Sequence, residues 1–291
     1  MALNILENIP LNDKTSYKIG GAARYYCEPQ SEDEISSLYR FAQKQGLPVF
    51  VLGRGSNLVI SDEGLDALVM NLSTKFTKVE WNGLTAVVQS GFGLDELAAL
   101  SAEKGFGGME ELSGIPGTVG GAVVMNAGAF NTEVSHTLRS VRVLRVSTLQ
   151  TEEVSASELA FGYRRSAVKD SGDLVLSAVF DFKTSPDAAL IRQQILDKRE
   201  QKQPLDFPSC GSVFKRPAGN YAGTLIESCG LKGFKLGGAV VSPKHANFII
   251  NTGNAKAEDV RGVIRHVQKT VFDKTGVHLE PEVIFAGTFQ L

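Results

Sequence analysis

The chain has few cysteines, and their spacing fits neither a disulfide framework nor a zinc site. Its 291 residues include three cysteines, and no two of them form a C-x-x-C pair. An odd number of widely separated cysteines is atypical of disulfide scaffolds and of structural zinc sites. No metal site is therefore predicted, and the three side chains are interpreted as buried thiols: Cys27, Cys210 and Cys229.

An excess of charge and a long apolar segment are also missing. The 30 basic and 32 acidic side chains give a net charge of −2, which favours neither nucleic acid nor an anionic membrane as a partner. No apolar run approaches the roughly 20 residues that cross a bilayer. The amino-terminal sequence MALNILENIP lacks the basic and apolar regions of a signal peptide. We therefore expect a cytoplasmic protein with a small-molecule partner; the sequence does not imply an oligomer.

Several common signatures of catalysis and phosphate binding are absent. The chain has no G-x-x-x-x-G-K-[ST] loop, no G-x-S-x-G elbow and no H-E-x-x-H helix. A P-loop, serine hydrolysis and metal-dependent hydrolysis therefore have no support. Leu58 stands where a G-x-G-x-x-G fingerprint starting at Gly53 requires its last glycine. A nucleotide site must then have another architecture.

Glycine is concentrated in two segments. These are GIPGTVGGAVVMNAGA at 114–129 and GRGSN at 53–57. Without side chains, the backbone N–H groups of such segments can approach a phosphate or pyrophosphate closely. Tight packing of turns and bulges is an equally good explanation for either segment alone. A nucleotide site is the leading hypothesis, and packing is the alternative.

Caps and hydrophobic spacing predict an α+β fold. Ser31 and Glu34 form a capping box before a first helix. Ser185 is the predicted N-cap and Pro186 the first residue of a polar helix that ends before Pro204. Further helices are predicted at 94–104, 224–229 and 257–274. Strands are predicted at 49–52, 67–72, 85–89, 141–146, 174–182, 247–251 and 283–285. The polar stretch 184–187 is the best domain boundary.

Four further motifs carry side chains that are suited to chemistry. Arg164 can hold a carboxylate through its planar fork, or form a surface ion pair. Ser212 can present a hydroxyl to a ligand, or cap a turn. Glu282 can donate a proton, or form half of a structural pair. A lone histidine such as His245 is assigned no catalytic role. The motifs are YRRS at 163–166, CGSVFKRP at 210–217, SPKHANFIIN at 242–251 and LEPEV at 279–283.

Seven motifs, taken in order along the chain, resemble those of one family. That family is the UDP-N-acetylenolpyruvoylglucosamine reductases, flavoenzymes of bacterial cell-wall precursor synthesis. The resemblance covers nearly the whole chain, and the ordered set is far more specific than any single motif. The motifs are KIGGAA at 18–23, LGRGSNLV at 52–59, SGIPGTVGGAVVMNAGA at 113–129, GYRRS at 162–166, GSVFKRP at 211–217, SPKHANFIIN at 242–251 and LEPEV at 279–283.

The resemblance implies a fold and a cofactor. The fold is a vanillyl-alcohol-oxidase-type (PCMH-type) FAD-binding portion made of two α+β subdomains, at 1–73 and 74–184, followed by a substrate-binding domain at 185–291. The family reduces the enolpyruvyl ether of UDP-N-acetylglucosamine to UDP-N-acetylmuramate, with electrons that pass from NADPH through non-covalent FAD. The residues expected to hold FAD are Gly53, Arg54, Gly55, Ser56, Asn57, Leu58, Ser113, Gly114, Ile115, Pro116, Gly117, Gly120, Gly121, Asn126, Ala127 and Gly128.

The resemblance also implies residue roles. Arg164 would stabilise the carboxylate-bearing intermediate with the help of Glu282, and Ser212 would deliver the proton. Ser212 follows Pro204 by only eight positions, so the insertion with a substrate-clamping tyrosine is absent, as in a shorter subclass of the family. The candidates for substrate binding are Tyr163, Lys215, Arg216, Lys244 and His245.

The sequence gives no second dinucleotide fingerprint after the FAD portion, so NADPH is expected to use the substrate cleft. Two alternatives stay open at this point. One is another flavin oxidoreductase with a histidine-linked flavin, although no histidine lies in either glycine segment. The other is a nucleotide-binding module without catalysis, although the three candidate catalytic residues are all present.

Overall fold

The computed structural model describes residues 3–289. The chain forms two compact units, each assembled from separated stretches. Unit 1 contains residues 3–5, Cys27–Gly53 and Leu68–Arg199. Unit 2 contains Leu6–Tyr26, Arg54–Ala67 and the chain from Glu200 onward. The three contiguous segments expected from the sequence stay a prediction.

Helices and strands alternate irregularly, as an α+β fold requires. The helices are α1 Glu32–Gln45, α2 Leu94–Glu103, α3 Val119–Val124, α4 Ala167–Ser171, α5 Ala188–Lys202, α6 Ala222–Ser228 and α7 Ala257–Thr275. The strands are β1 Ile5–Pro10, β2 Ala22–Cys27, β3 Val49–Leu52, β4 Leu58–Ile60, β5 Leu65–Asn71, β6 Val79–Asn82, β7 Thr85–Gln89, β8 Phe106–Gly107, β9 Gly128–Ala129, β10 Thr132–Glu133, β11 Leu138–Arg145, β12 Gln150–Ser155, β13 Leu174–Asp181, β14 Lys183–Thr184, β15 Lys235–Leu236, β16 Ala239–Val241, β17 Ile249–Asn251 and β18 Ile284–Ala286.

Unit 1 is built on an antiparallel sheet with the strand order β12-β11-β13-β7-β6. Alternate side chains of these strands, such as Val88, Val141 and Phe180, are fully buried, as expected of a sheet with one face in the core. They form one hydrophobic cluster with residues of α2 and α3. Strand β3 pairs in parallel with the second half of β5 in the same unit. Helix α3, the middle part of the glycine segment at 113–128, packs into this cluster against the sheet.

Unit 2 combines early and late parts of the chain. Strands β15, β16 and β17 form an antiparallel sheet, and β18 pairs in parallel with β4, with Ile284 opposite Leu58. Helix α7 supplies much of the core through one apolar face, as its sequence predicts. The buried residues of that face are Val260, Val263, Ile264, Val267 and Val271.

The Ser31 half of the predicted capping box of α1 is confirmed, whereas the Glu34 carboxylate accepts from the Gln30 amide instead of the Ser31 amide. The predicted start of α5 is wrong. The Ser31 side chain accepts a hydrogen bond from the Glu34 amide, at 3.2 Å. Helix α5 begins at Ala188 rather than at Pro186. Strand β14 pairs with β8, and the Ser185 amide then donates to Gly105 O at 2.7 Å. These bonds keep the chain extended as far as Ser185, so the helix starts later than the capping preference of Ser185 predicts.

The predicted strands are present, and their ends differ by a few residues. The strand expected at 247–251 starts only at Ile249, because Asn247 bonds to another segment, described below. Within residues 3–289, none of the helices combines the length and the hydropathy that are needed to span a bilayer.

Candidate active site and cofactor-binding segments

The glycine segment that begins at Ser113 is fixed between two helices of unit 1. The Gly117 carbonyl accepts from the Leu94 amide, at the start of α2, at 3.0 Å. Thr118 is the N-cap of α3, and its hydroxyl accepts from the Gly121 amide at 3.4 Å. Two helix starts thus hold the backbone of this segment in one conformation, as a preformed ligand-binding loop requires.

Gly53 packs directly against this segment. A Cβ atom added at Gly53 would lie 2.6 Å from Thr118 Oγ1 and 3.1 Å from Thr118 Cγ2. Any side chain at position 53 would therefore push the two backbones apart. Within unit 1, the structure thus brings Gly53, the first residue of one predicted cofactor segment, against Thr118 in the other.

The rest of the first glycine segment, in unit 2, presents unbonded amides. In the part of the chain that the structure describes, the amides of Gly55, Ser56 and Asn57 donate no intramolecular hydrogen bond. Gly55 has φ +59°, and a Cβ there would lie 2.7 Å from the Lys14 carbonyl oxygen. Consecutive amides of this kind suit an anion such as a pyrophosphate.

Buried hydroxyl groups next to the second glycine segment also lack partners. Among the described residues, the hydroxyls of Ser90 and Ser113 are buried and have no hydrogen bond. Ser90 lies against the segment, because its carbonyl accepts from the Gly120 amide at 2.8 Å. Buried polar groups normally have partners, so these hydroxyls indicate a missing polar ligand. The donors, the close backbone packing and the unpaired hydroxyls fit FAD.

Arg164 lies in a tight turn that the second glycine segment holds. Gly162 and Arg165 exchange backbone hydrogen bonds of 3.1 Å, and Arg164 between them has a left-handed φ of +57°. The Arg164 guanidinium donates to Gly128 O at 3.3 Å and lies 5.0 Å from the centroid of the Tyr163 ring. A left-handed conformation at a non-glycine residue is costly and is often found at functional sites.

Asn126 connects this turn to the glycine segment. Its side-chain amide donates to Glu133 Oε2 at 2.7 Å and to Gly162 O at 3.3 Å. The Ser166 hydroxyl adds a bond of 2.8 Å to Val124 O. The structure therefore brings Arg164 and Tyr163 together with Asn126 and Gly128.

In unit 2, the segment after Ser212 lies between two other parts of the chain. On one side, Asn247 accepts from the Val213 amide through its carbonyl at 2.8 Å. Its side chain also accepts from the Phe214 amide at 3.0 Å and donates to Phe214 O at 2.9 Å. Ser212 itself is exposed, so its hydroxyl is presented by a backbone that is fixed by its neighbours.

Glu282 lies on the other side of this segment. Its amide donates to Val213 O at 2.7 Å, and its carbonyl accepts from Asn57 Nδ2 at 3.1 Å. These bonds bring Ser212, Glu282 and Asn57 into one neighbourhood of unit 2. Arg164 belongs to unit 1, and its convergence with the other two catalytic candidates stays a prediction.

The cationic candidates for substrate binding differ in their surroundings. Lys215 forms an ion pair with Glu280, and Lys244 Nζ donates to Glu200 O at 2.5 Å. The Arg216 guanidinium lies 4.1 Å from the centroid of the Tyr221 ring, close enough for a cation–π contact. The Glu280 carboxylate offsets the charge of Lys215, whereas the contacts of Lys244 and Arg216 are with a carbonyl oxygen and an aromatic ring.

His245 has a structural partner. Its Nδ1 accepts from the Asn247 amide at 3.3 Å, and its ring makes an edge contact with Phe248, at 4.8 Å between centroids. Burial lowers the pKa of His245 below the usual 6.5, because a low dielectric disfavours the charged imidazolium. The neutral ring can still donate through Nε2.

Sequence reasoning missed three residues that the structure singles out: Ser90, Arg199 and Asn247. Ser90 and Arg199 have buried polar atoms without partners, and a side chain's burial cannot be read from an isolated serine or from a polar helix. Asn247 lies in a motif that the sequence did single out, but its role depends on pairing with a distant segment. The described residues contain no group of three or more metal-ligating side chains.

Comparison with known proteins identifies two domains. The description "FAD binding domain" matches residues 23–149, and "UDP-N-acetylenolpyruvoylglucosamine reductase, C-terminal domain" matches residues 203–286. The solved structure of UDP-N-acetylenolpyruvylglucosamine reductase from Thermus caldophilus has a TM-score of 0.84 and 32% sequence identity. The match covers 99% of this chain and all of that one. The predicted fold, an FAD-binding portion followed by a C-terminal domain, is confirmed.

Curated relatives that match nearly the whole chain are named UDP-N-acetylenolpyruvoylglucosamine reductase. UDP-N-acetylenolpyruvoylglucosamine reductase from Synechococcus sp. strain RCC307 is 44% identical over 99% of this chain and 95% of its own. The enzymes of that name from Caldicellulosiruptor saccharolyticus and Streptococcus pyogenes are 41% and 42% identical. They cover 99% and 98% of this chain, and 94% and 97% of their own. The resemblance stated from the motifs is confirmed. The chain therefore belongs to the UDP-N-acetylenolpyruvoylglucosamine reductase family of FAD-dependent oxidoreductases.

Proposed function

We propose that this protein reduces the enolpyruvyl group of UDP-N-acetylglucosamine enolpyruvate to the lactyl ether of UDP-N-acetylmuramate, for peptidoglycan precursor synthesis, with NADPH as the electron source. The observation that carries the chemical assignment is the hydrogen bond of 2.7 Å between the Glu282 amide and Val213 O. It holds the backbone of Glu282, which carries a carboxyl group, beside the backbone of Val213. Ser212, which carries the hydroxyl group, is the residue before Val213. A cytoplasmic location stays a prediction.

FAD, when bound, supplies the hydride that adds to the methylene carbon of the enolpyruvyl group. The residues of the two glycine segments named above hold it through backbone donors, an interpretation that the unbonded amides of Gly55, Ser56 and Asn57 support. The same interpretation accounts for the unpaired hydroxyl of Ser113.

Negative charge then develops on the carbon next to the methylene carbon and on the substrate carboxylate. Arg164 stabilises this charge, because a guanidinium keeps its proton and presents a planar fork to a carboxylate. Its bond to Gly128 O and its contact with Tyr163 restrict the guanidinium before the substrate arrives. Glu282 assists at the same intermediate.

Ser212 completes the reaction by protonation. Its hydroxyl gives a proton to the carbanionic carbon, a new C–H bond forms, and the alkoxide regains a proton from solvent. A serine hydroxyl is a weak acid, but an enolate-like carbon is basic enough to accept its proton. General acid catalysis of this kind contributes about 10²- to 10⁴-fold to the rate.

Lys215, Arg216, Lys244 and His245 are the proposed donors to the UDP diphosphate, and Tyr163 contacts the substrate near Arg164. The positive charges and the neutral imidazole described above support this role. NADPH uses the same cleft as the sugar nucleotide, so double-reciprocal plots of initial rates should be parallel, and the sugar nucleotide should inhibit competitively with NADPH. Intersecting lines would contradict a shared cleft.

Stopped-flow measurement of the two half-reactions tests the assignment of Ser212. With Ser212→Ala, flavin reduction by NADPH should keep its rate, whereas reoxidation by the enolpyruvyl substrate should slow about 10²-fold or more. Ser209→Ala, three positions earlier, is the matched control and should change neither rate. Equal slowing of both half-reactions, or no slowing of either, would show that Ser212 is not the proton donor.

A further inference from the structure

Arg199, near the end of α5, carries a buried guanidinium. The residue is 8% exposed, and its Nε and Nη2 atoms are buried and have no hydrogen-bond partner within residues 3–289. Burial lowers its pKa, an effect that the charge of Asp95 opposes. A guanidinium withdrawn from water normally has a carboxylate or another anion beside it.

The nearby carboxylate already has other partners. Asp95 Oδ1 accepts from the Gly114 amide at 2.7 Å and from Arg192 Nη2 at 2.8 Å. Arg192 and Arg199 thus share the negative charge of Asp95, and only Arg192 forms a hydrogen bond to it in the described part of the chain. A further anion beside Arg199 would balance its positive charge.

The guanidinium lies on the second glycine segment. A Cβ atom added at Gly114 would lie 2.7 Å from Arg199 Cδ and 3.1 Å from Arg199 Nε. Gly114 also has φ +79°, which disfavours other residues. On another side, Arg199 Cζ lies 5.7 Å from the centroid of the Phe130 ring. The hydroxyl of Ser113, adjacent to Gly114, is buried and unpaired as well.

We propose that Arg199 binds a negatively charged group of FAD, so that the cofactor supplies the counter-ion that the polypeptide lacks. The inference depends on the proposed placement of FAD at the segment Ser113–Gly128. Two groups of FAD have the required chemistry: the pyrophosphate, and the N1–C2=O end of the isoalloxazine, which becomes negative on reduction. The protein without FAD then carries a buried, unpaired charge, and binding of FAD removes that instability.

This proposal predicts opposite effects of one substitution on the two forms of the protein. Arg199→Met keeps much of the side-chain volume and removes the charge. In the full chain freed of FAD it should raise the melting temperature, because an unpaired buried charge is replaced by apolar atoms. The affinity for FAD, measured by fluorescence titration, should fall about 100-fold or more, as when one partner of a buried ion pair is lost.

Two further variants test whether the charge of Arg199 is responsible for the effect. Arg199→Gln retains hydrogen-bond donors without the charge, and it should lose FAD affinity to a similar extent. Arg142→Met is the matched control, because Arg142 belongs to the same unit and forms an exposed ion pair with Glu32; FAD affinity should not change. Unchanged FAD affinity in both Arg199 variants, or an FAD-free Arg199→Met protein that melts below the unaltered one, would overturn the proposal.

Riboflavin and ADP distinguish the two sources of negative charge. If Arg199 faces the pyrophosphate, Arg199→Met weakens ADP binding and leaves riboflavin binding and the flavin midpoint potential unchanged. If it faces the isoalloxazine, riboflavin binding weakens and the midpoint potential becomes more negative. These measurements need neither NADPH nor the sugar nucleotide, so they stand apart from the test of Ser212. Failure of the unaltered protein to bind FAD would overturn both the proposal and the cofactor placement.

Discussion

Replacing Asn247 by alanine should lower both the stability of unit 2 and the rate of the step assigned to Ser212. The Asn247 side chain accepts from the Phe214 amide and donates to the Phe214 carbonyl, and Phe214 is 2% exposed. Truncation leaves both backbone groups buried without partners. Each unsatisfied group costs about 1–3 kcal/mol, so Asn247→Ala should lower the free energy of unfolding by about 2–6 kcal/mol.

The same bonds fix the backbone that presents Ser212. We therefore expect Asn247→Ala to slow flavin reoxidation by the enolpyruvyl substrate in stopped-flow experiments, while flavin reduction by NADPH keeps its rate. The loss should not exceed the roughly 10²- to 10⁴-fold contribution of a general acid, because the hydroxyl is displaced rather than removed. Urea unfolding followed by circular dichroism gives the stability of the same sample.

Asn251→Ala is the matched control. Asn251 is also buried in unit 2, where its side chain donates to Tyr17 O at 2.9 Å and accepts from the Gly253 amide at 2.9 Å and from the Ala255 amide at 3.2 Å. Its truncation should cost stability of the same order without affecting reoxidation. The reasoning is refuted if Asn247→Ala costs less than about 1 kcal/mol, or if both variants slow reoxidation equally.

Gly53→Ala should destabilise the protein by about 1–3 kcal/mol through overpacking against Thr118, as urea unfolding would measure. Gly162→Ala, where a Cβ meets nothing closer than 3.9 Å, is its control; equal losses would contradict the packing argument. Burial lowers the pKa of His245, so as the pH falls below 6.5 the unfolded chain takes up this proton first. The free energy of unfolding should then decrease, and His245→Gln should show a weaker decrease over pH 7.5–5; an unchanged pH dependence would argue against burial of the ring. An aromatic disulfide reagent should label no thiol of the native protein at pH 8 and all of them after unfolding, because burial covers the cysteines; stoichiometric native labelling would refute that burial. The three thiols are Cys27, Cys210 and Cys229.

Local signals in the sequence predicted local structure well. The Ser31 cap and the apolar face of α7 depend on residues within one or two turns of each other, and both are confirmed. The start of α5 was wrong because strand pairing between β14 and β8 overrides the capping preference of Ser185. A sequence window that sees only neighbours cannot weigh a ladder to residues about 80 positions away.

In the candidate site, too, local sequence patterns were informative, whereas contacts between distant residues could not be predicted. Motifs selected Arg164, Ser212 and Glu282 as catalytic candidates, and the glycine spacing selected both candidate cofactor segments. The support for these residues came from bonds between distant parts of the chain, such as those of Asn126 to Gly162 and of Asn247 to Phe214. Arg199 was missed for a related reason. Its α5 helix is polar, and only the folded chain shows that two nitrogens of its guanidinium are buried without a hydrogen bond within residues 3–289.

The parallel pairing of β4 with β18 explains why a cofactor candidate and a catalytic candidate are neighbours in unit 2. Parallel strands begin at the same edge of a sheet, and Ile284 lies opposite Leu58. Asn57 directly precedes β4 and Glu282 lies two positions before β18, so the two residues meet at that edge. The bonds of Ile284 N to Asn57 O at 2.9 Å and of Asn57 Nδ2 to Glu282 O at 3.1 Å are the result. Because a strand's side chains alternate between faces, a shift of one residue in this register would move Glu282 away from both Asn57 and Val213. The proposed role of Glu282 therefore depends on the register of this short strand pair as well as on the carboxyl group.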